Sequence, residues 1–208
     1  MAVQRVVAYI DGFNFYHGLM DAKLDTSRWL DLNAMCQKLL SAQQRLTLVR
    51  YFTTRIRNDS GKHSRQNRYI DALTARGGVS IDYGHFLSRP ARCRSCGAKW
   101  QRNEEKKTDV NIAVRLLEDA FDDLFDVAII VSGDSDLAPP IQSVRHRFPK
   151  KTVVVAHPPK RSSAELARVA HGAYHINPSQ VRSARLPDPV VLANGHALRA
   201  PKGWLPQA

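Results

Sequence analysis

The chain has little of what would make a disulfide-stapled, membrane-spanning or repetitive protein. Its 208 residues include three cysteines, which form no even disulfide framework, so reduced thiols are expected. No apolar run approaches the roughly 18 to 20 residues that would cross a bilayer. The opening residues run straight into Asp11-Gly12 with no cleavable leader pattern. A soluble, cytoplasmic protein without a membrane partner is therefore the expectation. There is no internal repeat, no low-complexity block and no Gly-x-x-x-x-Gly-Lys-Ser/Thr loop, which argues against a P-loop phosphotransfer enzyme. Acids are also in short supply, 19 Asp+Glu against 31 Lys+Arg, and the resulting net charge of +12 would attract polyanions, nucleic acid or an anionic membrane surface, between which composition does not choose. Apolar residues make up 43% of the chain, enough for a real core.

The acids that do occur are concentrated. Residues 104–136 hold ten of the 19 and only Lys106, Lys107 and Arg115 as bases. A basic shell around an acidic centre suits an enzyme that holds a cation where a polyanionic substrate arrives. An ordinary acidic helix face is the plainer account, and Asp119, Asp122 and Asp123 are read that way.

Short apolar runs at residues 5–10, 126–133 and 151–157 predict strands buried on both faces. Residues 45–52 and the segment from Val79 predict further strands. Helical spacing is found over about 14–22, 31–41, from the turn-like Asn58-Asp59-Ser60-Gly61 on to Arg76, from Thr108 to Phe121 and over about 135–147, where Pro139-Pro140 fits a first turn. Strands alternating with helices predict an α/β fold with a mainly parallel sheet. Residues 89–107 read as a basic loop or hairpin insertion. Residues 178–208, in a stretch that carries five of the 11 prolines, read as a loose tail or one draped over a neighbour.

In such sheets functional groups gather beyond the carboxyl ends of the strands. The first strand ends in Asp11-Gly12-Phe13-Asn14, the strongest one in Ser132-Gly133-Asp134-Ser135-Asp136, and Asp109 opens the helix after Lys106-Lys107-Thr108. Each acid alone is explained as a turn or helix-capping residue. Together they suggest carboxylates converging on one cleft, where a hard divalent ion, Mg²⁺ or Mn²⁺, would offset their mutual repulsion. Cys93 and Cys96, with Gly97, form half of a zinc knuckle that His85 or another chain would have to complete; a plain surface turn and a redox pair are the alternatives. Cys36 lies in an apolar helix and reads as core.

Tyr9-Ile10-Asp11-Gly12-Phe13-Asn14, Lys106-x-x-Asp109-Val110, Val131-Ser132-Gly133-Asp134-Ser135-Asp136 and the strand leading to His157-Pro158-Pro159 resemble the NYN domain, a member of the PIN-like nuclease superfamily, over roughly residues 4–177. The resemblance implies a PIN-like three-layer sandwich of helices around a parallel sheet, and an acidic pocket that uses Mg²⁺ or Mn²⁺ to cleave RNA. Carried over, the acidic positions are Asp11, Asp109, Asp134 and Asp136, with Asn14 and Ser132 as polar helpers. Arg115 departs from the pattern, standing where relatives place a further acid, which bears on a second metal; Glu118 or Asp119 could substitute. Arg55, Arg57, Lys62, Arg65, Arg68 and Lys107 would follow an RNA backbone, and Phe13 and Tyr16 would stack bases of a single strand. Phe15 and Tyr83 read equally as core. A homo-oligomer remains open. The alternative to a ribonuclease is an RNA-binding or regulatory module of the same fold with little turnover.

Overall fold

The computed structural model describes residues 3–56, 59–92, 95–106 and 108–206, without the side chains of 85–92 and 99–106. In chain order the elements are β1 (Gln4–Asp11), α1 (Gly12–Asp21), α2 (Leu32–Gln37), β2 (Gln44–Thr53), α3 (Ser60–Arg76), β3 (Val79–Tyr83), β4 (His85–Arg92), β5 (Lys99–Lys106), α4 (Thr108–Phe121), β6 (Val127–Val131), α5 (Ala138–Arg147), β7 (Thr152–His157), α6 (Ala164–Val169), β8 (Gly172–His175), α7 (Pro178–Arg182), β9 (Val190–Val191) and β10 (Ala197–Leu198).

Six strands form one sheet in the order β3-β2-β1-β6-β7-β8, and every neighbouring pair is parallel. The chain winds outward from β1 through β2 to β3, returns to the centre at β6, and winds outward the other way. The order therefore reverses between β1 and β6. Alternation along β1 divides the core: Val6, Ala8 and Ile10 pack with α1, α2 and α3, while Val7 and Tyr9 pack with α4, α5 and α6. This is the expected three-layer α/β sandwich. β1 reads as an unbroken apolar run because both of its faces are covered.

Helix ends follow side-chain chemistry. Asp11 caps α1 and Asp31 caps α2, each accepting from the backbone N–H three residues on. Ser135–Leu137 form a separate 3₁₀ turn before α5, because Pro139 and Pro140 fit only at the start of a helix. α3 ends at Gly77, whose φ of 74° a β-carbon would resist. The stretch after Val79 divides: β3 joins the main sheet, whereas β4 pairs antiparallel with β5 in a separate hairpin.

Two expectations need correction. The C-terminal segment is not loose. Val181, Ala184, Leu186, Val190 and Trp204 are buried in the same core as α1–α3. Asp31 N–H donates to the Ala184 carbonyl, Leu186 N–H to the Trp29 carbonyl and Trp29 Nε1–H to the Pro187 carbonyl. The prolines end regular structure without preventing the apolar residues between them from packing. Asp119 is likewise not a solvated helix-face acid. It is 2% exposed, takes two bonds from the Arg50 guanidinium at 2.6 and 2.7 Å, and accepts the Tyr9 hydroxyl at 2.6 Å. Burial, and then that bond to Asp119, raise the Tyr9 pKa well above its ordinary value and keep the phenol protonated.

Asp119→Ala should cost about 3 kcal/mol by removing both short bonds to the half-buried Arg50 guanidinium, which keeps only the longer contact to Asp82 at 3.8 Å, measured by denaturant unfolding. Replacing Tyr9, Arg50 and Asp119 together by Phe, Met and Leu should restore most of that loss. His157 gives a pH signature. It is buried, with Nδ1 3.2 Å from the Ser132 carbonyl, and burial lowers its pKa from the ordinary 6.5. The unfolded chain then takes up this proton first, so stability falls as pH drops below about 6.5. The fall in Tm between pH 7.5 and 5.5 should be shallower in His157→Asn.

Candidate active site at the switch point

β1 and β6 lie side by side at the centre of the sheet, and their carboxyl ends finish together, with Ile10 level with Val131. The following residues, Asp11 and Ser132, are joined directly. Ser132 Oγ donates to Asp11 Oδ2 at 2.9 Å and accepts the Asp134 N–H at 3.0 Å. The other Asp11 oxygen accepts Asn14 N–H at 3.0 Å, and Asn14 Oδ1 accepts Gly133 N–H at 2.9 Å. Asp134 Oδ1 caps the next turn by accepting Asp136 N–H at 3.1 Å. Five of the residues singled out in the sequence, Asp11, Asn14, Ser132, Asp134 and Asp136, thus belong to one hydrogen-bonded network across the reversal of strand order, where open α/β sheets place ligands.

The network gives these groups graded exposure. Asp11 is 4% exposed and Ser132 fully buried, Asp134 is half-buried and Asp136 is exposed. Both oxygens of Asp11 hold protein partners, so its direction is fixed, while carboxylate oxygens have further lone pairs to offer. Gly12 is required immediately after it, since a β-carbon there would lie 2.5 Å from the Phe52 carbonyl oxygen and 2.7 Å from the Tyr51 ring.

Asp109 approaches by another route. It lies in the first turn of α4, half-buried, next to Thr108, whose hydroxyl is 3.4 Å from that of Thr54 beyond β2. α4 also packs against the 3₁₀ turn that carries Asp136. Among the described residues, no three His, Cys, Asp or Glu side chains are close enough together to form a ready-made metal cage. Arg115 pairs with Asp82 at 3.2 Å and Glu118 at 2.9 Å, and Asp119 is held by Arg50, so neither Glu118 nor Asp119 is left to substitute for a missing acid.

A cavity of about 330 Å³ begins at Gly12 and brings Phe13, Tyr16, Lys62 and Arg65 to one place. Phe13 and Tyr16 are 54% and 42% exposed on α1, with the His17 ring against both, whereas Phe15 is core. Gln66 ties α3 to the end of β2 by accepting from Ile56 N–H and donating to the Thr54 carbonyl, which places Lys62 and Arg65 beside the strand ends. Arg55 is turned elsewhere, 4.6 Å over the Tyr83 ring and bonded to its hydroxyl. Arg68 lines a neighbouring concavity.

Sequence reasoning missed Arg28, Tyr69 and Trp204 in these walls. A lone tryptophan in a proline-rich segment was the signal available for the last. Arg57, Cys93 and Lys107 lie outside the described residues, as does the His85 side chain; Cys96 is exposed.

The chain is 28% identical over 243 aligned positions, covering 98% of its own length and 76% of the other, to 6-hydroxy-3-succinoylpyridine 3-monooxygenase HspA of Pseudomonas putida. A solved structure of a Vibrio parahaemolyticus protein of unknown function superposes with a TM-score of 0.58 at 18% identity, covering 84% of this chain and 93% of that one, and so shares its fold. The NYN domain model matches residues 5–177, from β1 through the final strand of the main sheet and across both halves of the acidic network. The chain therefore belongs to the NYN domain family, with its PIN-like nuclease fold.

Proposed function

We propose that the acidic end of the sheet is a divalent-metal-dependent ribonuclease centre that hydrolyses RNA phosphodiester bonds. The observation that carries this reading is the Asp11–Ser132–Asp134 linkage, which joins the Asp11 carboxylate to the Asp134 backbone, the Asp134 carboxylate being held in turn by Asp136 N–H, at the ends of adjacent strands where strand order reverses in a NYN chain. The donors are hard oxygens. They fit Mg²⁺ or Mn²⁺ held by one or two carboxylates and mostly by water, an arrangement that needs no three-acid cage. Asp11 and Asp134 would hold the ion, and Asp136 and Asp109 would meet its water shell. A bound ion would supply Lewis-acid activation and charge neutralisation at the phosphate.

The chain's own residues do the remainder. Asn14, locked by Gly133 N–H, presents its amide nitrogen without adding charge beside Asp11. Lys62 and Arg65 hold the sugar-phosphate backbone, and exposed Phe13 and Tyr16 offer faces on which single-stranded bases stack. Zn²⁺ at Cys93 and Cys96 has no part in the proposed chemistry.

One observation favours a second reading, action on a small aromatic molecule. The cavity beside Gly12 has the size and aromatic lining of a small-ligand site. The Pseudomonas relative, similar along nearly the whole chain, is named for a reaction on a substituted pyridine.

End-labelled single-stranded RNA should be cut in Mg²⁺ or Mn²⁺ and left intact in EDTA. Asp134→Asn, which keeps an oxygen to cap Asp136 N–H and hence the fold, should lose about 100-fold or more of the rate. Salt-dependent RNA binding without cutting under either metal would overturn the nuclease in favour of a binding module.

A further inference from the structure

The cavity beside Gly12 does not end at its aromatic walls. A second concavity of about 400 Å³ shares Arg28, Arg65 and Trp204 with it and adds Arg68, Pro201 and Lys202. The two spaces have different chemistry. The first is walled by Phe13, Tyr51, Tyr69 and Trp204 among others, and the second presents four cations and no acid. Arg65, Arg68 and Lys202 have no hydrogen-bond or salt-bridge partner among the described residues, and Asp59, outside the lining, acts on Arg65 only through its field.

The wall between the two spaces is fixed in place. The Trp204 ring is 8% exposed and meets Tyr69 edge to face at 5.8 Å between centroids. Arg28 lies 5.0 Å over the same ring and donates to the Asp25 and Gly203 carbonyls at 2.7 and 3.2 Å. Tyr69 in turn donates to the Leu30 carbonyl at 2.8 Å. Residues 201–204, which complete this wall, lie beyond the matched family domain.

Clustered like charges repel, and an anion between them relieves that repulsion. A concave aromatic chamber favours a flat ring in stacked or edge-to-face contact. We propose that the two concavities form one binding site for a planar aromatic anion, its ring in the chamber beside Gly12 and its negative group among Arg28, Arg65, Arg68 and Lys202. The C-terminal segment is then part of a ligand site. A nucleoside monophosphate and an aromatic carboxylate share this chemistry, and the site does not depend on whether the acidic end cleaves RNA.

Calorimetric titration of the full chain in EDTA, where metal-dependent cleavage is silent, tests this with adenosine 5′-monophosphate against adenosine and pyridine-3-carboxylate against pyridine-3-carboxamide. At least one anion should bind at least about tenfold more tightly than its uncharged counterpart, and which pair responds identifies the source. Arg65→Glu and Arg68→Glu, both at exposed positions, should each weaken that binding at least about tenfold, while Arg182→Glu on α7 should leave it unchanged. Binding should also alter tryptophan fluorescence in the wild type and do so far less in Trp204→Phe. The proposal is overturned if neither anion binds, if charged and uncharged ligands bind alike, or if Arg182→Glu weakens binding as much as Arg65→Glu.

Discussion

The Ser132 hydroxyl is the point through which the candidate site is organised. It donates to Asp11 and receives the Asp134 N–H, so one buried oxygen ties the end of β1 to the turn that follows β6, while the backbone ladder between the two strands sets their spacing. Without that link, the buried Asp11 carboxylate and the half-buried Asp134 would have no direct connection. With it, Asp11, Asn14, Gly133, Asp134 and Asp136 belong to one hydrogen-bonded network. Their capping roles and their proposed chemistry do not compete, since a carboxylate fixed by one lone pair is better oriented to use another.

The site lies between two unlike surroundings. On one side, α4 and α5 close over a dry core whose charges are internally paired. On the other, α1, α3 and the C-terminal segment leave a chamber open beside Gly12. The acidic network lies on the boundary between these two layers. A ligand entering the chamber therefore reaches the residue after Asp11 without disturbing the packed layer behind it.

Much of this was legible from local signals. Buried parallel strands announce themselves as unbroken runs of Val, Ile and Ala, and the acids that follow β1 and β6 stand where such sheets bind ligands. Asp11, Ser132 and Asp134 could be singled out because strand ends are marked in the sequence. Asp119 was misread because its partners, Tyr9 and Arg50, are 110 and 69 positions away, and helical spacing does not reveal a buried cation across the sheet. The C-terminal segment was misread for a related reason: prolines break its periodicity, while the contacts of Val181, Leu186 and Trp204 are made with α1–α3, far back in the chain.

The Arg50–Asp119 clasp has a consequence for the candidate site as well as for stability. Asp119 lies ten residues after Asp109 on a single helix, about 15 Å along its axis. A helix resting on the sheet by aliphatic contacts alone could roll or slide with little resistance. A guanidinium holding one of its carboxylates with two directed bonds adds a directional restraint to the packing of Ile112, Leu116 and Ala120, and so helps to set the azimuth at which Asp109 emerges at the far end. The buried ion pair works as an indexing pin, converting a contact deep in the core into the heading of a side chain at the strand ends.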